Sequence, residues 1–129
     1  MLSASIPNQV RKALYRRDGF ACALCGDPRH LQIHHVVPRG KGGGNTPRNL
    51  IVLCMYCHAA VHGTRLTEFY IPPEDVTEEA DKYLSEMYFK AFGPDMSCFD
   101  PYDLYDYDDP DQLQDAFDEI RLCLYGKEF

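Results

Sequence analysis

Apolar positions recur at helical spacing in three stretches of this 129-residue chain and cluster in two shorter runs between them. Val10, Ala13 and Leu14 form a short stripe after Ser5-Ile6-Pro7, whose proline suits a first helical turn, and Asp18-Gly19 ends it. The other face of that segment is basic. Leu31–Val37 reads as a strand, Pro38–Pro47 as a loop rich in Gly, Lys, Arg and Asn, and Asn49–Leu53 as a second apolar run. Residues 58–65, HAAVHGTR, read as helical, with Gly63 as a stop. Two prolines, Pro72 and Pro73, then interrupt any regular element. Asp75 and Glu78 resemble a capping box, and Val76, Ala80, Leu84, Met87/Tyr88 and Ala91 follow at helical spacing up to Gly93-Pro94. After an Asp/Tyr tract, DPYDLYDYDDPD at 100–111, a last amphipathic helix carries Leu113, Ala116/Phe117, Ile120 and Leu124 behind an Asp109-Pro110 cap.

Charge divides the chain where the prolines do. Residues 1–65 hold nine Lys/Arg against two Asp, a net +7, and the remainder carries −14, so the overall −7 conceals a basic half and an acidic half. Such asymmetry points to a nucleic-acid-facing module joined to a segment that repels or imitates nucleic acid. No run of about 18 apolar residues is present, and the N-terminus lacks a basic segment followed by an apolar one, so neither a membrane span nor a secretory signal is expected. The expectation is a soluble intracellular, cytoplasmic protein.

Six cysteines would suit a secreted disulfide framework, but here four of them form two Cys-x-x-Cys units, Cys22/Cys25 and Cys54/Cys57. That spacing closes a tetrahedral thiolate site around zinc, with no open position for substrate, so the site is structural. A metal staple also suits so short a chain, whose core alone is marginal. Cys98 and Cys123 fall outside the pattern and read as buried or free thiols.

Chemistry must then come from the histidines. His58 and His62 lie four apart and share one helix face, where they can hold one ion. His34 and His35 are neighbours on the strand, so they face opposite sides and have separate surroundings. His30 reads as a surface loop residue without a role.

The succession RRDGFACALCG, IHHVVPRGKGG, RNLIVLC and CMYCHAAVH closely resembles the HNH nuclease family, from about Tyr15 to His62. The resemblance implies an α+β fold: a small ββα-metal core stapled by a four-cysteine zinc site, preceded by an N-terminal helix and followed by an acidic, mainly helical extension. It implies that His34, His58 and His62 hold a catalytic divalent metal, that His35 is the general base, and that Asn49 orients the base and its loop. The chemistry suits these assignments, since an imidazole near its ordinary pKa can deprotonate water close to neutral pH. Three neutral imidazoles leave coordination positions open for phosphate and water. All-histidine ligation suits manganese, nickel or zinc better than magnesium, which prefers oxygen.

The expected arrangement is therefore a basic nuclease domain at 1–66 and an acidic helical extension at 67–129. The expected activity is metal-dependent hydrolysis of phosphodiester bonds in DNA, by nicking or double-strand cleavage, with little intrinsic sequence preference and with phage or mobile-element associations implied by the resemblance. Arg16, Arg17, Arg39, Lys41, Arg48 and Arg65, with the amides of Gly42–Gly44, are the candidate phosphate contacts. Two alternatives stand beside this reading: a zinc-knuckle nucleic-acid-binding module without catalysis, and an interaction protein whose acidic C-terminal helices dock a partner. Within the acidic part, the Asp/Tyr tract can fold back on the basic face as a restraint, the two amphipathic helices can dock on another protein, or the whole is a small helical extension joined by a solvated acidic linker.

Overall fold

In the computed structural model, which describes residues 6–63, 72–94 and 99–127, the stripe of Val10 and Leu14 forms the buried side of helix α1 (Asn8–Arg17). Strand β1 (Gln32–His35) pairs antiparallel with β2 (Leu50–Leu53), Ile33 opposite Val52 and His34 opposite Ile51. Helices α2 (Met55–Val61), α3 (Pro73–Phe92) and α4 (Pro110–Lys127) complete an α+β fold in which the two strands and α2 form the ββα unit. No described helix is long and apolar enough to cross a membrane.

All four residues of β2 are buried, which is why its sequence is an unbroken apolar run. The strand's two faces feed different clusters. Ile51 and Leu53 pack with Cys22, Cys54 and Cys57 of the knuckles and with Ala80 and Leu84 of α3. Leu50 packs with Ile6, Val10 and Leu14 of the N-terminal segment and with Ile120 of α4. Met87 and Tyr88 of α3 meet Cys123 of α4 in a third cluster. The acidic helices thus bury their apolar stripes against the ββα unit and against each other, and the charge lies on outward positions such as Glu74, Glu78 and Glu79.

Element boundaries shift where backbone hydrogen bonds find other partners. The first strand is shorter than the apolar run Leu31–Val37, because the amide of Val36 turns to the carbonyl of Asn49 and that of Val37 to the Asn49 side chain. Helix α2 ends at Val61, and Gly63, at φ 77°, leaves the helix in the left-handed conformation. Asp75 is not an N-cap: α3 starts at Pro73, so Glu74 and Asp75 lie in its first turn, where they complement the helix dipole. Helix α4 is capped by Asp109, whose carboxylate accepts the amide of Asp111 at 2.9 Å.

Arg17 departs furthest from expectation. Instead of extending a basic surface it is fully buried, with Nε and Nη2 on the Asp18 carboxylate at 2.9 and 3.0 Å, Nη1 on the Pro47 carbonyl at 3.0 Å and Nη2 on the Leu50 carbonyl at 2.6 Å. Asp18 also accepts the Val52 amide at 3.0 Å and the Tyr83 hydroxyl at 2.9 Å. The pair therefore joins α1, β2 and α3 at one point. Removing one partner of a buried ion pair strands the other charge, so Arg17→Met is expected to lower stability by about 3–5 kcal/mol. Tyr83→Phe, which removes one of the donors to Asp18, is expected to cost about 1–3 kcal/mol. Chemical denaturation of the two variants checks both values and their order.

Candidate metal centre and basic pocket

Two groups of metal-ligating side chains form in the ββα region, each with its donor atoms within 4.8 Å of one another: Cys22, Cys25, Cys54 and Cys57, and His34, His58 and His62. The cysteines come from two tight turns. In the first, Gly26, at φ 82°, returns its amide to the Cys22 carbonyl at 2.9 Å, and the Ala23 amide reaches back to Val52 of β2 at 2.9 Å. In the second, Cys54 is the N-cap of α2, and its sulfur accepts the Cys57 amide at 3.5 Å. The Sγ atoms of Cys25 and Cys54 lie 3.5 Å apart across the two turns. A hydrogen bond from Cys57 draws the Cys22 thiol down to about 4 and pushes Cys57 up, while burial raises Cys25 to about 11. Four sulfurs this close cannot all ionise unless a cation neutralises them, which is the environment of a thiolate metal site.

The histidine group is built from β1 and the end of α2. His34 is largely buried, while His62, at the C-cap of α2, is exposed. The ring of His34 stands edge-on to those of His58 and His62, with centroids 5.0 and 5.7 Å away, and the Nε2 atoms of His58 and His62 face each other at 3.2 Å. Gln32 sets the tautomer. Its Oε1 accepts from Nδ1 of His58, so Nε2 of His58 carries the lone pair and points at its neighbours. Burial, with the three other nearby histidines, lowers His34 to about 4; burial and His62 lower His58. Both rings are thus held in the neutral form that ligates a metal.

His35 lies outside that group. It lines the same open pocket as His34, His58, His62, Pro38 and Arg39, and its Nε2 is buried without a hydrogen-bond partner among the described residues. Burial and the charges of Arg39 and Arg11 lower its pKa, so it stands as a free base. Among the described residues the Asn49 side chain bonds to the loop and not to the imidazole. Fully buried, it accepts the Val37 amide at 2.8 Å and donates Nδ2 to the carbonyls of Val37 at 3.1 Å and Gly44 at 2.8 Å, closing the loop that follows β1.

The expected phosphate contacts separate into two sets. Arg16, Arg39 and Lys41 are exposed, and Arg39 borders the histidine pocket. Arg17 is removed from the set by burial, as described above. Arg48 is removed as well: its side chain is only 12% exposed, Nη2 donates to Ser85 Oγ at 3.0 Å and pairs with Asp81 at 3.5 Å, and Cζ lies 5.6 Å from the centre of the Tyr88 ring. Arg65 lies outside the described residues. The amides of Gly42, Gly43 and Gly44 are already bonded to the carbonyls of Arg39, Pro38 and Pro101, so they do not form an anion cradle. Two residues escaped the sequence reading. Gln32 lies two positions before His34 on the same strand face, a spacing that could have revealed it. Arg11 follows buried Val10 in α1 and flanks the buried stripe, which brings its charge to bear on His35.

Residues 22–64 match the family model described as HNH endonuclease. A segment of 37 residues, 29% of the chain, is 43% identical to part of the type IV methyl-directed restriction enzyme EcoKMcrA of Escherichia coli strain K12, and this segment amounts to 13% of that enzyme. No solved structure matches the chain. If Gln32 sets the His58 tautomer, Gln32→Leu should weaken divalent-cation binding at the histidine group by about 10- to 100-fold. Manganese or cobalt titration of the full chain measures this.

Proposed function

We propose, from the match of residues 22–64 to the HNH endonuclease family model, that the chain is a metal-dependent endonuclease hydrolysing phosphodiester bonds in DNA. One observation carries the reading. A histidine whose buried Nε2 has no hydrogen-bond partner among the described residues stands beside a three-histidine cluster whose donors converge, in a pocket bordered by an arginine. A binding module without catalysis has no need of this combination.

In this reading His34, His58 and His62 hold the catalytic ion, and Cys22, Cys25, Cys54 and Cys57 hold a structural zinc. When bound, the divalent ion stabilises the charge that builds on the phosphate and on the departing 3′ oxygen. Neutral imidazole donors favour manganese, nickel or zinc, with magnesium the weakest fit. His35 takes the proton of the attacking water at Nε2 as oxygen joins phosphorus and the bond to the 3′ oxygen breaks. Its lowered pKa keeps it unprotonated and ready at neutral pH. Arg39 and Arg11 bring positive charge to the wall where the phosphate sits, with Lys41 and Arg16 as outer backbone contacts. Asn49 positions the loop between them. Among the described residues no base-reading helix or finger accompanies the site, and in this reading intrinsic sequence preference is low.

Residues 1–66 supply the chemistry in this proposal, and 67–129 support it from the acidic side. A phage or mobile-element setting rests on the family resemblance alone. On supercoiled plasmid with manganese or nickel, the wild type should nick or linearise, and His35→Ala should lose at least about 100-fold in rate while still binding DNA. Binding without cutting by wild type with every ion tried would favour the non-catalytic module instead. Stripping the thiolate cluster with a strong chelator should lower the melting temperature, whereas His62→Ala should abolish cutting and leave melting nearly unchanged. Circular dichroism on the plasmid-assay samples separates these two effects.

A further inference from the structure

The Asp/Tyr tract does not hang free beside the nuclease unit. Residues 101–107 lie along the loop between β1 and β2 and are hydrogen-bonded to it at several points. The Gly44 amide donates to the Pro101 carbonyl at 2.9 Å. The side-chain amide of Asn45 mimics a strand partner, donating to the Tyr105 carbonyl at 2.8 Å and accepting the Tyr105 amide at 2.6 Å. The Tyr107 hydroxyl donates to the Asn45 carbonyl at 2.6 Å. Asn45 and Thr46 are 2% exposed, so these bonds run in a dry environment where each unmade one is costly. The approach is so close that a Cβ on Gly44 would lie 1.8 Å from the Asp103 carbonyl oxygen, and only glycine fits there.

The contact continues in both directions. On the loop side, the Gly44 carbonyl is held by Asn49, which also clamps Val37 at both its amide and its carbonyl, two residues from His35 and two from Arg39. On the helix side, the Tyr105 hydroxyl donates to buried Glu119 of α4 at 2.9 Å, and Tyr88 of α3 donates to the other carboxylate oxygen. Hydrogen bonds linked through the Gly44–Asn45 peptide therefore run from α3 and α4 through Glu119, Tyr105 and Asn45 to Asn49 and on to Val37, between His35 and Arg39. Asn49 alone fixes the loop only to itself. Asn45 ties it to the tract, beside the bonds of Gly44 to Pro101 and of Arg17 to Pro47.

We propose that Asn45 and the tract 100–109 are positioning elements of the nuclease site: the acidic segment holds the loop after β1 in working register and neither masks the basic pocket nor acts as a solvated linker. The proposal rests on the nuclease reading for its catalytic part. The hold on the loop stands independently of it.

Truncation cannot test this, because Ile120 and Cys123 of α4 belong to the core. Tyr107→Phe and Asn45→Ala in the full chain remove one bond and two bonds respectively and leave α4 in place. Three quantities are read: amide hydrogen exchange at Val37, Gly43 and Gly44, manganese affinity, and the single-turnover rate on saturating supercoiled plasmid. Exchange at these amides is expected to accelerate about tenfold or more, most in Asn45→Ala. Manganese affinity should stay within about twofold, since no histidine ligand is displaced, while the cleavage rate falls roughly 10- to 100-fold from misplacement of the base and Arg39. Unchanged exchange in both variants would overturn the proposal, as would faster cutting, which would make the tract a restraint. Faster exchange with an unchanged rate would overturn its catalytic part. If wild type cuts with no ion, the nuclease reading fails, and the exchange data still decide whether the tract holds the loop. Should Asn45→Ala fail to fold, the near-isosteric Tyr107→Phe decides alone.

Discussion

Asp18 accepts from four groups on three elements, and its partner Arg17 reaches two carbonyls that flank the start of β2. A carboxylate and a guanidinium taken wholly out of water are a heavy cost unless every donor and acceptor is used. Here nearly every one is, and the geometry that satisfies them also fixes where β2 begins, how α1 crosses it and where α3 lies. A two-stranded sheet is marginal by itself. With β2 pinned at Leu50 and Val52, its register against β1 follows, and that register sets His34 opposite Ile51 and His35 opposite Leu50. The site depends on this knot although no atom of it borders the histidine pocket.

From that register follows the separation of the two adjacent histidines. Strand alternation turns His34 into the cluster with His58 and His62, where burial and neighbouring imidazoles keep it neutral. One residue further, the strand ends, because the next amides are taken by Asn49. His35 is therefore the last paired residue of β1, at the lip of the pocket, with Nε2 left without a partner among the described residues. A longer strand would have carried Val36 and Val37 onward in pleated alternation and removed the turn that brings Arg39 to the same pocket. Adjacency on a short strand thus gives two imidazoles different surroundings within one pocket.

Much of this was legible in the sequence. The Cys-x-x-Cys pairs, the i,i+4 histidines and the helical stripes of α1, α3 and α4 are local patterns, and the α+β fold with its ββα unit follows from their order. The failures share a cause. Arg17 was read by its charge, although positions 10, 14 and 17 continue one buried stripe; a carboxylate next door and two carbonyls some thirty residues away made burial tolerable, and only the tertiary fold supplies those. Arg48 was misread for the same reason, since Asp81, Ser85 and Tyr88 come from a helix more than thirty residues on. The Asp/Tyr tract looked like low complexity because its composition is repetitive, yet Tyr105 and Tyr107 bond to Asn45 across about sixty residues of sequence. Composition reports what a segment can do in isolation and is silent on a partner that distant.

The charge split also changes meaning once the halves are packed together. Had the acidic half been a separate body, its −14 would have weakened every approach of a polyanion to the basic half. In the fold most of its carboxylates occupy outward positions of α3, α4 and the tract, while Tyr83, Tyr88, Tyr105, Tyr107, Glu119 and the apolar stripes turn inward. Repulsion is then directional: the helical surface rejects a phosphate backbone, and exposed Arg39, Lys41 and Arg16 attract it. For the proposed DNA substrate this favours encounters that lead to the histidine pocket over unproductive adsorption elsewhere. An acidic protein can in this way carry a basic pocket without losing it to its own field, because the like charges that would oppose a polyanion are held on surfaces away from that pocket.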